Sequence, residues 1–266
     1  METQNALQAA IALFRQGSHT QSLERISQLL DDDPHAGKAW ELKGLIEDAL
    51  SWENRAIHSL ETATTLVPLS ASGQYVLAKN YLEIGKTDLA KSVFTLLLQR
   101  EDIPDRLLPA LSTYLGRQTG LVHLALEACR KAARRDPDQG DSWLGMAHFM
   151  SLLGYPQIQV ANVLRKAVCI DPENRHYRLA LSQQLKRMGE HDKAYQVVKQ
   201  IPLSELKQIS SLDCLERLLT IFQDANDQLR YEICFYKLRQ LKSSDSCGPD
   251  LSERFKAKTP PRQIRR

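Results

Sequence analysis

No apolar run in the 266 residues approaches the roughly 18 that a membrane-spanning helix needs, so no such span is expected. Near the start, Glu2, Gln4, Asn5 and Gln8 interrupt the apolar residues, and neither a basic n-region nor a cleavage site is present. A secretory leader is therefore not expected. Cysteine is sparse and odd in number: there are five, and Cys129, Cys169, Cys214 and Cys234 stand within helix-like sequence. That is the usage of reduced, packed thiols rather than of a disulfide framework, and it points to the cytoplasm. Strand-like alternation is missing along the chain. So are a phosphate-binding glycine loop, a Cys-x-x-Cys pair and a Gly-x-Ser-x-Gly elbow. The sequence carries no signature of an enzyme, a cofactor site or a metal site.

Excess charge of either sign is also lacking over most of the chain. Of 35 basic and 32 acidic side chains, residues 243–266 hold six and three, so the first 242 residues carry 29 of each. A neutral body is a poor reader of the phosphate backbone, where affinity comes from surplus Lys and Arg. Nucleic acid is not expected as a partner, apart from weak docking through the basic tail.

What the chain does have is a period. Pro34, Pro68, Pro104, Pro137 and Pro172 follow one another at 34, 36, 33 and 35 residues, and each ends a helical pattern. About half a period out of step with them, Gly17, Gly85, Gly120 and Gly189 are followed five residues later by Ser22, Ala90, Ala125 and Ala194. Ser51 and Ala56 repeat that spacing, and Gly154 stands in the same phase. Glycine tolerates the left-handed backbone that closes one helix, and the small residue lets the next helix approach. A third marker, five residues before the proline, is Leu29, Ala63, Ala132 and Ala167. The unit is helix, tight turn, helix and proline-marked link, repeated six times.

This pattern resembles the tetratricopeptide repeat, whose signature runs from Trp-x2-Leu-Gly-x2-Tyr through a small residue and an aromatic to Pro. The fifth copy carries Trp143, Met146, Ala147, Met150, Gly154, Leu164, Ala167 and Pro172; the third carries Leu77, Ala78, Tyr81, Gly85, Ala90, Phe94 and Leu97. In the second, Trp40 and Gly44 match, but Lys43 and Glu47 fill places that are usually apolar. The resemblance implies an all-α, right-handed α-solenoid. Its repeats are expected at 3–36, 37–70, 71–105, 106–139, 140–174 and 175–202. Beyond them, amphipathic segments at 204–223 and 226–242 read as a capping helix pair over 203–242. Residues 243–266 read as a disordered basic tail.

Three clusters hold residue types capable of chemistry. His123 and Glu127 are four apart on a helix, close enough to share a metal or a proton, but read as a solvated face. Glu190-His191-Asp192 fills the turn after Gly189, and Asp31-Asp32-Asp33 lies at a helix end against the dipole. Both read as polar links.

Stacked helix pairs line a concave groove with their first helices. In the resembled family that groove holds peptides of partner proteins. The fifth and ninth repeat positions, with residues one turn further on, place Glu41, Tyr75, Lys79, Tyr114, Arg117, His148, Gln183 and Lys186 along it. Tyr and Arg are favoured contact residues, bringing large area with polar ends. A chaperone-tail clamp is not expected, because Leu7 and Ile11 stand where that branch of the family carries its Lys and Asn. The sequence therefore reads as a non-catalytic scaffold or adaptor for a protein or peptide partner. The alternative reading is a self-associating subunit, paired through its terminal helices, or the regulatory arm of a larger complex that includes an enzyme.

Overall fold

The computed structural model describes residues 2–245. They form fifteen α-helices, and no strand occurs among the described residues, as the missing two-residue alternation requires. The chain divides into two compact units, one up to Ile170 and one from Asp171.

The first unit holds five helix pairs. In chain order they are α1 Glu2–Arg15 with α2 His19–Asp32, α3 Gly37–Ala49 with α4 Glu53–Leu66, and α5 Ala71–Glu83 with α6 Thr87–Gln99. Then come α7 Leu107–Gly116 with α8 Val122–Arg135, and α9 Gly140–Leu152 with α10 Gln157–Ile170. Each helix packs most extensively on its partner, and α3 also lies against α5 and α7 against α9.

The turn inside each pair explains the glycine marker. Gly17, Gly85 and Gly154 all have φ between 74° and 80°, which a Cβ would strain. Beyond the glycine, a backbone N–H reaches back over five residues, as Lys86 N–H does to the Tyr81 carbonyl at 2.8 Å. That bond is the Schellman closure of a helix C-terminus. Ser51 takes the same role without being glycine: its φ is 59°, and Trp52 N–H donates to the Glu47 carbonyl at 2.9 Å. The small residue five places on is fully buried at Ser22, Ala56, Ala90 and Ala125. Ser22 also donates its hydroxyl to the Ala10 carbonyl at 2.7 Å, so the one polar member of the series is satisfied.

The second unit holds α11 Arg175–Arg187, α12 His191–Lys199, the single turn α13 Leu203–Leu206, α14 Leu212–Asp224 and α15 Gln228–Asp245. Its core gathers Val198, Ile201, Leu206, Leu215, Leu218, Phe222 and Cys234. Two expectations for this region change. Residues 204–223, which read as one amphipathic helix, are broken after Leu206, because Ser211 caps a new helix by accepting from Cys214 N–H at 3.3 Å. Helix α15 runs on to Asp245, past the start of the expected tail at 243. The rest of that tail, 246–266, lies outside the described residues.

Candidate functional site

The sequence pattern placed its contact residues on first helices. Residues of α5 at four-residue spacing share one stripe of the helix, and Tyr75, Lys79 and Glu83 are such a set. Across from them α7 supplies Tyr114. The Tyr75 and Tyr114 rings meet edge to face with centroids 6.0 Å apart, and both touch the buried Phe94 of α6 at 6.2–6.3 Å. Edge-to-face pairs of this kind each contribute about 0.5–1.5 kcal/mol beyond their buried area. The three rings therefore fix the spacing of α5 and α7 while both phenols remain partly open to solvent.

Charges surround the rings in matched pairs. The Lys79 ammonium lies 2.8 Å from Asp48 of α3, and the Asn80 amide donates to the same carboxylate at 2.6 Å. The Tyr114 hydroxyl donates to Glu83 at 3.2 Å. Burial pushes the Tyr75 phenol above its ordinary pKa; Lys79 opposes that shift and Asp48 adds to it. Burial, with the Glu83 charge and hydrogen bond, pushes the Tyr114 phenol further in the same direction. Both tyrosines are thus O–H donors at neutral pH.

The remaining sequence-derived residues divide into three groups. Arg117 caps α7 and is exposed; His148 is exposed on α9, its ring 5.2 Å from that of Phe149. Phe149 in turn lies so close to Gly116 that a Cβ there would come within 2.4 Å of its ring, which brings α7 tight against α9. Gln183 and Lys186 belong to the second unit: Gln183 accepts from Arg217 at 2.6 Å and Lys186 pairs with Asp224 at 3.0 Å, beside an open pocket of about 260 Å³. Glu41, expected along the groove, is instead buried. It is only 5% exposed, and its carboxylate accepts the Ser70 backbone N–H at 2.7 Å and the Lys38 ammonium at 2.9 Å. It sits over Gly73, where any Cβ would approach Oε1 to 2.5 Å. Its work is to join the α3–α4 pair to the start of α5.

Sequence reasoning missed Asp48 and Glu83, the acids that complete the site. Glu83 carries a signal, its spacing of four from Lys79. Asp48 has none, because its partner is 31 residues away and meets it only through the packing of α3 on α5. Members of the three acidic and histidine clusters form ordinary polar contacts. Glu127 pairs with Arg130 at 2.6 Å, Glu190 with Lys193 at 2.8 Å, and Asp33 accepts from His35 N–H at 3.1 Å. Among the described residues no group of three His, Cys, Asp or Glu side chains is placed to hold a metal, and no helix is long and apolar enough to cross a membrane.

Comparison with known proteins agrees with the helical-repeat fold. Residues 7–51 match the sequence profile of the tetratricopeptide repeat. The chain has the tetratricopeptide repeat fold: over 94% of its length it superposes, at a TM-score of 0.64 and 12% identity, on 99% of the C-terminal part of a TPR repeat-containing protein from Cytophaga hutchinsonii. A second similar structure is Naa15/Naa10 bound to HypK-THB, with a TM-score of 0.63 and 16% identity over 96% of this chain. The chain spans only 41% of that longer protein. A third is YrrB, described as a TPR protein with an unusual peptide-binding site, with a TM-score of 0.51 and 16% identity over 67% of this chain and 90% of YrrB. No curated protein matches this chain in sequence.

Proposed function

We propose that the chain is a non-catalytic scaffold whose Tyr75–Tyr114 face holds a peptide segment of another protein in the cytoplasm. The observation that carries this reading is the pair of partly open phenols on adjacent first helices, braced by a buried Phe94 and ringed by Asp48, Lys79 and Glu83. Aromatic residues held rigid in this way give contact area with little rotamer entropy to lose, which is what a binding hot spot needs. The charges beside the rings are already paired, so affinity comes chiefly from ring contact and hydrogen bonding by the phenols. A few such anchors supply around −8 kcal/mol, or micromolar binding. YrrB, a neighbour of the same fold with a peptide-binding site in its description, supports the reading by analogy.

The test is a lysate pull-down with the intact chain beside a Tyr75→Ala/Lys79→Ala/Tyr114→Ala variant of matched helicity. Proteins captured by the first and lost by the second support the assignment. Equal capture by both would sink it.

A second reading, self-association through a terminal helix, rests on α15. Leu229, Phe235 and Tyr236 of that helix are 57%, 43% and 64% exposed, and the Tyr231 and Phe235 rings stack at 6.1 Å. Sedimentation across a concentration series should show mass increasing with concentration, and a Phe235→Ala/Tyr236→Ala variant should remain monomeric. A constant monomer mass for the intact chain would end this reading.

A further inference from the structure

A different face of α3 bears on a second site. Trp40, Lys43 and Glu47 recur at spacings of three and four, so they share one stripe, about a third of a turn from the stripe that holds Asp48. Together with Leu23 of α2 and Arg55 and His58 of α4, they line an open pocket of about 500 Å³, within the usual size of a ligand site. Lys43 and Glu47 are the two residues that depart from the repeat pattern in this helix, and both face the pocket.

The chemistry of the pocket is specific. Lys43 lies 4.8 Å above the Trp40 ring and Arg55 4.8 Å above the Trp52 ring. Neither forms an ion pair with a carboxylate among the described residues, so each cation is steadied by an aromatic face and keeps its N–H donors available. The Trp40 indole is itself held, its N–H donating to the Pro34 carbonyl at 2.9 Å and the His58 ring meeting it edge-on at 6.4 Å. Leu23 and Trp40 supply apolar wall. Glu47 is 4% exposed and accepts the Ser59 hydroxyl at 2.6 Å. Its one hydrogen-bond partner among the described residues is that hydroxyl, so it leaves the N–H donors of Lys43 and Arg55 unclaimed. A carboxylate on a chain that also carries apolar side chains matches two cations set beside an apolar wall.

We propose that this pocket between α2, α3 and α4 binds an extended acidic peptide segment. Its carboxylates are taken by Lys43 and Arg55 and its apolar side chains by Trp40 and Leu23. The site is separate from the Tyr75–Tyr114 face and does not depend on that face binding anything.

The experiment is fluorescence anisotropy of the full chain with a fluorescein-labelled octapeptide alternating glutamate and leucine. The control is the same labelled peptide with glutamine for each glutamate. The acidic peptide should bind, and the glutamine peptide at least tenfold more weakly. A Lys43→Glu/Arg55→Glu variant should also lose at least tenfold in affinity, about 1.4 kcal/mol. A Lys43→Gln/Arg55→Gln variant of unchanged helicity should lose affinity in the same direction, which separates charge loss from misfolding. Tyr75→Ala/Tyr114→Ala should leave this binding unchanged. The proposal is overturned by no binding, by equal binding of the two peptides, or by full affinity in the charge-reversed variant. Displacement of the peptide by inorganic phosphate more readily than by free glutamate would overturn the carboxylate assignment.

Discussion

The indole N–H of Trp143 donates to the carbonyl of Pro137, six residues earlier, at 2.8 Å. Trp40 makes the same bond to Pro34 at 2.9 Å, and the Arg178 guanidinium makes its counterpart to Pro172. In each case the proline that stops one helix offers its carbonyl to a side chain in the first turns of the next. The link is thereby tied to the helix that follows it. At Trp143 the ring also carries the Lys166 ammonium, 4.5 Å from its centroid.

Removing that tie should be measurable. Trp143→Phe keeps an aromatic ring but loses the donor, and we expect a loss of about 1 kcal/mol, the usual net worth of one hydrogen bond. Urea unfolding followed by circular dichroism would read it as a lower midpoint at constant slope. An unchanged midpoint would mean that the bond adds nothing to stability.

Ser51 offers a gain. A non-glycine residue in the left-handed region costs roughly 1–2 kcal/mol, partly offset by glycine's larger unfolded-state entropy. Ser51→Gly is therefore expected to stabilise the chain by about 0.5–1 kcal/mol. The reverse change at the equivalent turn, Gly85→Ala, should cost about 1 kcal/mol, although nothing lies within 4 Å of the added Cβ. Paired thermal melts of the two variants should shift in opposite directions.

Alkaline pH should weaken the first unit. Burial raises the Tyr75 and Tyr114 phenols, and burial with the Glu61 hydrogen bond raises Tyr81. In the unfolded chain these groups ionise near pH 10, so the folded state keeps protons that the unfolded state releases. Their contribution is full below about pH 10 and falls as pH rises beyond it. A tyrosinate absorbance titration should show these phenols ionising late, together with loss of helicity. Tyr114→Phe should reduce the steepness of the alkaline loss.

Acid should act on the second unit through Asp227. Burial opposes its ionisation, but hydrogen bonds from the Arg230 backbone and the Tyr195 hydroxyl and the Arg230 charge outweigh burial and lower its pKa. A lowered folded-state pKa contributes stability above the unfolded value near pH 4, and that stability is lost as pH falls through the folded value. Asp227→Asn should flatten the acid limb of a stability–pH curve. At neutral pH it should cost about 1–3 kcal/mol, because a charge-assisted network is lost. An acid limb of unchanged shape would exclude Asp227 as its source.

Much of the fold was legible because its markers are local. A glycine ends a helix and a proline stops the next by backbone chemistry that needs no partner, and Ser51 was readable as a glycine substitute from phase alone. The candidate site was less legible because it depends on which helices touch. Repeat phase placed Tyr75 and Tyr114 on first helices, but it also placed Glu41 on the surface. Packing against Ser70 and Gly73 of the next repeat covers it, a contact that repeat phase does not reveal. Repeat phase placed Lys79 along the groove but gave no sign of Asp48, which reaches it from α3. The break after Leu206 was hidden because a run of leucines and isoleucines keeps its period across Ser210 and Ser211, and the serine cap outweighs that period locally.

The closures described at the turns have a kinetic consequence. A five-residue reach at a helix end and a six-residue reach from link to helix close loops so short that little chain entropy is lost in forming them. The packing that follows joins mainly consecutive helices, so relative contact order is low and the folding barrier holds few distant encounters. Each helix pair of the first unit is therefore able to form early and recruit its neighbour, and a damaged turn should slow its own pair before it affects the others.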